Sequence, residues 1–209
     1  MKKIKICTPV IGKTLEEFLE NLEKVQAISD MVELRVDQIK NLSDSDLQLI
    51  RKKTKKEAIF TSRKKEIILK ALDLEFDYID IELSLISNID LSKQKNNKII
   101  LSFHDFKKTP NIEELTILID RMRKYNIEVL KIATTVNNDQ DVNDLFKTLL
   151  NKKNDEKMII VGMGNEGKIT RVLGPLLGSF LTFASTKYGE SAQGQINIVE
   201  LKKIYKLLT

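Results

Sequence analysis

Tyr78–Leu83 reads YIDIEL, and within it Asp80 and Glu82 alternate with Ile79, Ile81 and Leu83. Period two places both acids on one side of a strand and the apolar set on the other. Neighbouring strand candidates repeat the pattern. Glu33, Arg35 and Asp37 interleave with Leu34 and Val36, and Ser102 and His104 with Leu101 and Phe103. Lys131 stands between Leu130 and Ile132 and shares its face with Val129 and Ala133. A half-exposed antiparallel sheet alternates in the same way, with its polar side in water. The intervening segments argue against that sheet. Thr14–Ala27, Asn111–Tyr125 and Asp139–Leu150 carry apolar residues three and four apart, as in Leu115, Leu118, Ile119 and Met122. That spacing marks helices packed on one face.

Eight strands are expected in chain order. They are Lys3–Thr8, Met31–Val36, Ala58–Ser62, Tyr78–Leu83, Lys98–Phe103, Val129–Thr134, Met158–Gly162 and Phe180–Ala184, with a closing helix at about 197–208. Strands alternating with helices give a parallel sheet covered on both faces. A doubly wound open sheet uses the same units, but it has no interior to receive the polar faces. A barrel does, at the C-terminal ends of its strands. The expectation is therefore an α/β fold, a (β/α)8 TIM barrel, in a single compact domain over residues 1–209.

Composition narrows the function classes. With 42% apolar and 31% charged residues the chain is ordinary for a soluble globular protein, and 8 Gly and 3 Pro leave little for linkers. Lys5, Pro9 and Lys13 interrupt the first apolar run, which argues against a signal peptide. No stretch reaches the roughly 20 apolar residues of a spanning helix. One cysteine, Cys7, excludes an internal disulfide and a cysteine zinc site, and one histidine excludes a His-rich metal site. A cytoplasmic protein without metal or membrane is expected. The net charge of +5 raises the question of nucleic acid. The lysines are interleaved with acids, however, and the densest run, Arg51–Lys56, reads as a helix end. An anionic small substrate suits this field, and nucleic acid is not expected.

Lys131 is the sharpest single residue. Alone it also fits a snorkelling edge lysine. Desolvation or a nearby cation would lower its pKa, and a neutral amine can attack a carbonyl to form an iminium. His104, on the next strand, fits a hydrogen-bonded core position, but beside such a lysine it becomes a general acid–base. Gly162–Gly167 (GMGNEG) matches GxGxxG between a strand and a helix. It follows the seventh strand rather than the first, and Glu190 falls in a loop, so a glycine turn that lets backbone approach a ligand is the better reading.

With these residues in place the chain resembles, nearly end to end, the type I 3-dehydroquinate dehydratases, or 3-dehydroquinases, of the shikimate pathway. ELRVD (33–37), FTSR (60–63), YIDIEL, SFHDF (102–106), LKIA (130–133), the stretch MGNEGKITRVLGPLLGSFLTFAS (163–185) and SAQGQ (191–195) stand in family order. The resemblance implies Schiff-base formation at Lys131 and acid–base work at His104. It gives Glu33, Arg35, Arg63, Ser191 and Gln195 substrate-binding roles, and Arg171 the substrate carboxylate. It also implies a homodimer and no cofactor. Two positions depart from the family. Glu66 lies one position early for the acid that orients the histidine, with the usual glycine pair missing, and Asp80 is the other candidate for that role. Gln193 replaces a proline in the lid, which predicts a looser lid when open. The implied reaction converts 3-dehydroquinate to 3-dehydroshikimate and water. Its rivals are another lysine-imine barrel enzyme, such as a small aldolase, and a noncatalytic basic barrel that binds RNA or an anionic ligand.

Overall fold

A computed structural model describes residues 4–93 and 96–208. Eight parallel strands carry the site: β1 Ile6–Val10, β2 Met31–Arg35, β3 Glu57–Thr61, β4 Tyr78–Glu82, β5 Lys98–Asp105, β6 Val129–Thr135, β7 Lys157–Met163 and β8 Thr182–Ser185. They pair in the order β7-β6-β5-β4-β3-β2-β1-β8, and a two-residue strand, β9 (Ile196–Asn197), adds to β8. The architecture is a (β/α)8 barrel. Between β7 and β8 no ladder forms. There Phe180 N–H donates to Met158 O at 2.7 Å and Ile160 N–H to Ser179 Oγ at 3.4 Å.

The helices are α1 Leu15–Gln26, α2 Asp44–Lys53, α3 Lys65–Leu72, α4 Leu83–Ile86, α5 Ile112–Arg123, α6 Asp139–Leu150, α7 Lys168–Leu176 and α8 Ile198–Leu208. Their starts follow from local chemistry. The side chains of Ser43 and Asn111 accept N–H groups of the first turns of α2 and α5, and Asp46 and Glu114 reach back to close capping boxes. Arg51, Lys52 and Lys53 of the basic run form the last turn of α2, where cations face unpaired carbonyls, and the rest runs on beyond the helix. Arg51 also donates to Glu75 O at 2.6 Å.

Period two separates two cores. Outward residues such as Leu34, Phe60, Ile79, Leu101 and Ile132 join the helices in the larger one. Cys7, Met31, Ile59, Tyr78, Ile100, Val129 and Ile159 fill the barrel interior near the strand starts. Strand bounds shift little from the sequence expectation. The first, expected at Lys3–Thr8, runs over Ile6–Val10: Lys3 lies outside the described residues, and Ile4 and Lys5 precede the ladder. The last begins at Thr182 rather than Phe180, because pairing with β1 starts at Ile6–Thr182.

Candidate active site

Farther along the same strands the interior turns polar. Asp80 and Glu82 point inward from β4, Ser102 and His104 from β5, and Lys131 from β6. Register sets Glu82 beside Ser102, and Ser102 beside Lys131. Lys131 is 5% exposed, and its Nζ donates to Asp80 Oδ2 at 2.7 Å. It also lies 5.0 Å from the centroid of the Phe183 ring. Ser102 Oγ donates to the other oxygen of Asp80 at 2.5 Å. Burial works against both charges of the pair. For Lys131, Asp80 and Glu33 outweigh burial and hold the amine above the ordinary lysine value of 10.5. For Asp80, burial is outweighed by the charges of Lys131 and His104, and the carboxyl stays below 3.8. This corrects the expectation of a depressed lysine. Arg35 is a weaker influence than the two carboxylates.

His104 Nδ1 meets Glu82 Oε2 at 2.5 Å, and its backbone N–H donates to Glu82 Oε1 at 3.3 Å. Neither sequence candidate holds the imidazole. Asp80 is committed to Lys131. Glu66 sits exposed in the first turn of α3, a helix that buries Ile67 and Ile68 and so turns Glu66 to solvent. The inward acid two residues past Asp80 takes the place, and the YIDIEL alternation already carried that signal.

Glu33 accepts from Thr61 Oγ1 at 3.2 Å and from Ser191 Oγ at 3.1 Å, which ties the loop after β8 to β2. Gln195 closes on Ser191 twice, by Oε1 to its N–H at 3.0 Å and by Nε2 to its hydroxyl at 3.1 Å. Arg35 spends its fork on Asp37, at 2.9 and 2.8 Å, and extends Nη1 toward Ser191 O at 3.4 Å. Burial opposes its charge, but the bonds to Asp37 hold its pKa above the usual value. Arg171 is 1% exposed. Its Nη2 donates to Gln193 O at 3.3 Å, and its Nε is buried without a partner. Burial pulls this guanidinium down to about 10. Tyr205 OH and Thr182 Oγ1 fix the Arg171 carbonyl at 2.7 and 2.9 Å.

One half-open cavity joins these groups. Glu33, Arg35, Arg63, His104, Lys131, Arg171, Ser191 and Gln195 all line it. The apolar wall residues Phe106, Val161, Met163, Phe183 and Ala192 went unremarked in the sequence. The glycines at 162 and 167 serve chain packing, since a Cβ on Gly167 would fall 2.4 Å from the Gly162 carbonyl carbon.

A buried lysine lining a cavity of charged side chains, at the C-terminal mouth of a (β/α)8 barrel, stands where barrel enzymes build their active sites. The family model of type I 3-dehydroquinase matches residues 6–209. A 3-dehydroquinate dehydratase of Coxiella burnetii is 43% identical over 97% of this chain and 92% of that protein. One of Methanocaldococcus jannaschii is 35% identical over 97% and 98%. Among solved structures, type I 3-dehydroquinate dehydratase of Clostridium difficile with covalently modified comenic acid matches with a TM-score of 0.83. Its identity is 29%, covering 100% of this chain and 93% of that one. The chain belongs to the type I 3-dehydroquinase family. Its activity is that of a hydro-lyase, which converts 3-dehydroquinate to 3-dehydroshikimate and water.

Proposed function

We propose that this dehydration runs through a Schiff base on Lys131, with His104 as the proton-transfer group and Arg171 as the partner of the substrate carboxylate. One observation carries the reading: a buried amine and a carboxylate-bound imidazole, from adjacent strands, line the same cavity. The amine holds its proton in the resting site, so attack on the ring ketone requires that proton to leave. Asp80, held below the ordinary carboxylate value, stabilises the ammonium and is too weak a base to take the proton, which passes to solvent or to His104 on the adjacent strand. Condensation releases water and leaves an iminium that withdraws electrons from the adjacent carbon. His104 removes the C–H proton there and returns it to the departing hydroxyl, with Glu82 fixing ring orientation. Hydrolysis of the product imine regenerates the amine.

Arg171 is supported by its buried guanidinium, whose Nε has no partner. A carboxylate would supply the missing acceptor in a charge-assisted pair. Glu33, Arg35, Arg63, Ser191 and Gln195 would orient the substrate hydroxyls, and the loop over 191–195 would keep water from the imine. The enzyme is taken to act in the cytoplasm as a homodimer, without nucleic acid or membrane. The family resemblance supports the dimer, which sedimentation of the purified chain tests. No described helix is long and apolar enough to cross a membrane. The mechanism is tested by adding 3-dehydroquinate and borohydride, then measuring intact mass and mapping the modified peptide. A ligand-sized adduct on Lys131 is expected. Full turnover with no adduct, under conditions that trap a known enzyme of this kind, would overturn the imine.

A further inference from the structure

Phe106 is the one cavity-lining aromatic left largely in water. It is 63% exposed, whereas Phe183, on the same cavity, is 4% exposed. A single exposed apolar side chain needs no explanation in itself, but the place of this ring beside the cavity gives it a role to look for. Two contacts supply it. The ring stacks on His104 with centroids 5.9 Å apart and planes 8° from parallel. The Arg63 guanidinium carbon lies over the same ring, 5.4 Å from its centroid.

Arg63 has little else to hold it. It is exposed, and among the described residues it has no hydrogen bond or ion pair. Arg35 and Arg171, the other two arginines of the cavity, are each anchored by hydrogen bonds. Phe106 is itself well placed to serve as an anchor. It follows the last residue of β5, and Asp105 accepts the N–H groups of Lys107 and Lys108 at 2.8 and 3.1 Å, which folds the chain into a turn around it. A guanidinium over a ring face is attracted by the ring quadrupole, and more strongly once water is excluded. A ring also holds a long flexible side chain over the cavity without using up its donors, which remain free for a ligand.

We propose that Phe106 is a positioning residue that holds Arg63 over the cavity in its substrate-binding pose, with His104 bracing the ring. The inference rests on the reading of Arg63 as a substrate-binding residue. Steady-state kinetics with 3-dehydroquinate on Phe106→Leu, Phe106→Tyr, Arg63→Ala and the Arg63→Ala/Phe106→Leu double variant test it. Phe106→Leu should raise KM about three- to ten-fold, and Phe106→Tyr, which keeps a ring face, should stay within about two-fold of the parent. In the Arg63→Ala background, Phe106→Leu should add nothing further to KM, because the group it positions is gone. A raised KM in Arg63→Ala, with an unchanged KM in Phe106→Leu, overturns the positioning role alone. So does a Phe106→Leu effect of the same size in both backgrounds. An unchanged KM in Arg63→Ala overturns the substrate role of Arg63, and this inference with it. Residue 106 is at the surface, so folding of these variants is not at stake.

Discussion

Ile100 and Ser102 lie two residues apart on β5 and face the same barrel interior, yet they keep different company. Ile100 packs among Tyr78, Val129 and Ile159 with no polar atom to satisfy. Ser102 is equally buried but stands between carboxylates, 2.5 Å from Asp80 and 3.5 Å from Glu82. One strand thus supports two regimes within about 7 Å of rise. Near its start, burial is repaid by dispersion and the hydrophobic effect. Near its end, burial opposes every charge, and only close pairing makes the residues tolerable there. The barrel keeps its chemistry stable by standing it on an apolar layer.

That contrast can be broken from either side. The largest effect is expected at the mouth. Lys131→Ala should cut kcat by about 10⁴-fold or more and abolish the borohydride adduct; robust turnover would remove the lysine from the mechanism. His104→Ala should lower kcat by about 10²- to 10⁴-fold. It should still form the imine, so adduct mass and turnover must separate in that variant. Ile100→Ala should do the reverse. A loss of about 2–5 kcal/mol is expected from cavity formation in the apolar layer, with adduct formation intact in the folded fraction. Calorimetry reads this as a lower Tm, and an unchanged Tm would mean that the layer is not structural.

The smallest effect concerns pH. Asp80 is lowered on folding, so its contribution to stability is present above its unfolded value of 3.8 and is lost as pH falls through the folded one. Lys131 is raised on folding, so its contribution is present below 10.5 and is lost as pH climbs past its folded value. The stability difference between the parent and an Asp80→Asn/Lys131→Met variant should therefore stay flat from about pH 5 to about pH 9. Urea denaturation at intervals across that range checks it, and a difference that swings near pH 7 would mean that another group governs the pair.

The same contrast accounts for what the sequence disclosed. Alternation in YIDIEL, ELRVD and SFHDF was enough to turn the polar faces inward and to choose a barrel over an open sheet. Lys131 and His104 stood out because each is a polar residue on a strand that should be dry. What escaped was pairing across strands. Glu82 and Asp80 look equivalent along β4, and only register shows that Ser102 and Lys131 claim one while His104 claims the other. Glu66 misled because spacing counted from Arg63 ignores where α3 begins. The direction of the Lys131 shift escaped for a related reason, since burial and charge oppose each other there and distance decides between them. Phe106 gave no signal, because an aromatic after a strand reads the same whether it packs or projects.

In the loop after β8, the contact at Gln193 does not depend on the identity of its side chain. Its side chain is exposed, and what it contributes is its carbonyl, which accepts from Arg171 Nη2 and from Gly164 N–H, each at 3.3 Å. Any amino acid brings that carbonyl, so a substitution at position 193 keeps both bonds, provided the chain keeps its course. The steric constraint falls instead on its neighbour. Gly194 has φ +79°, and a Cβ there would sit 2.2 Å from Gly164 O. A loop held by main-chain atoms depends on the glycine rather than on the glutamine.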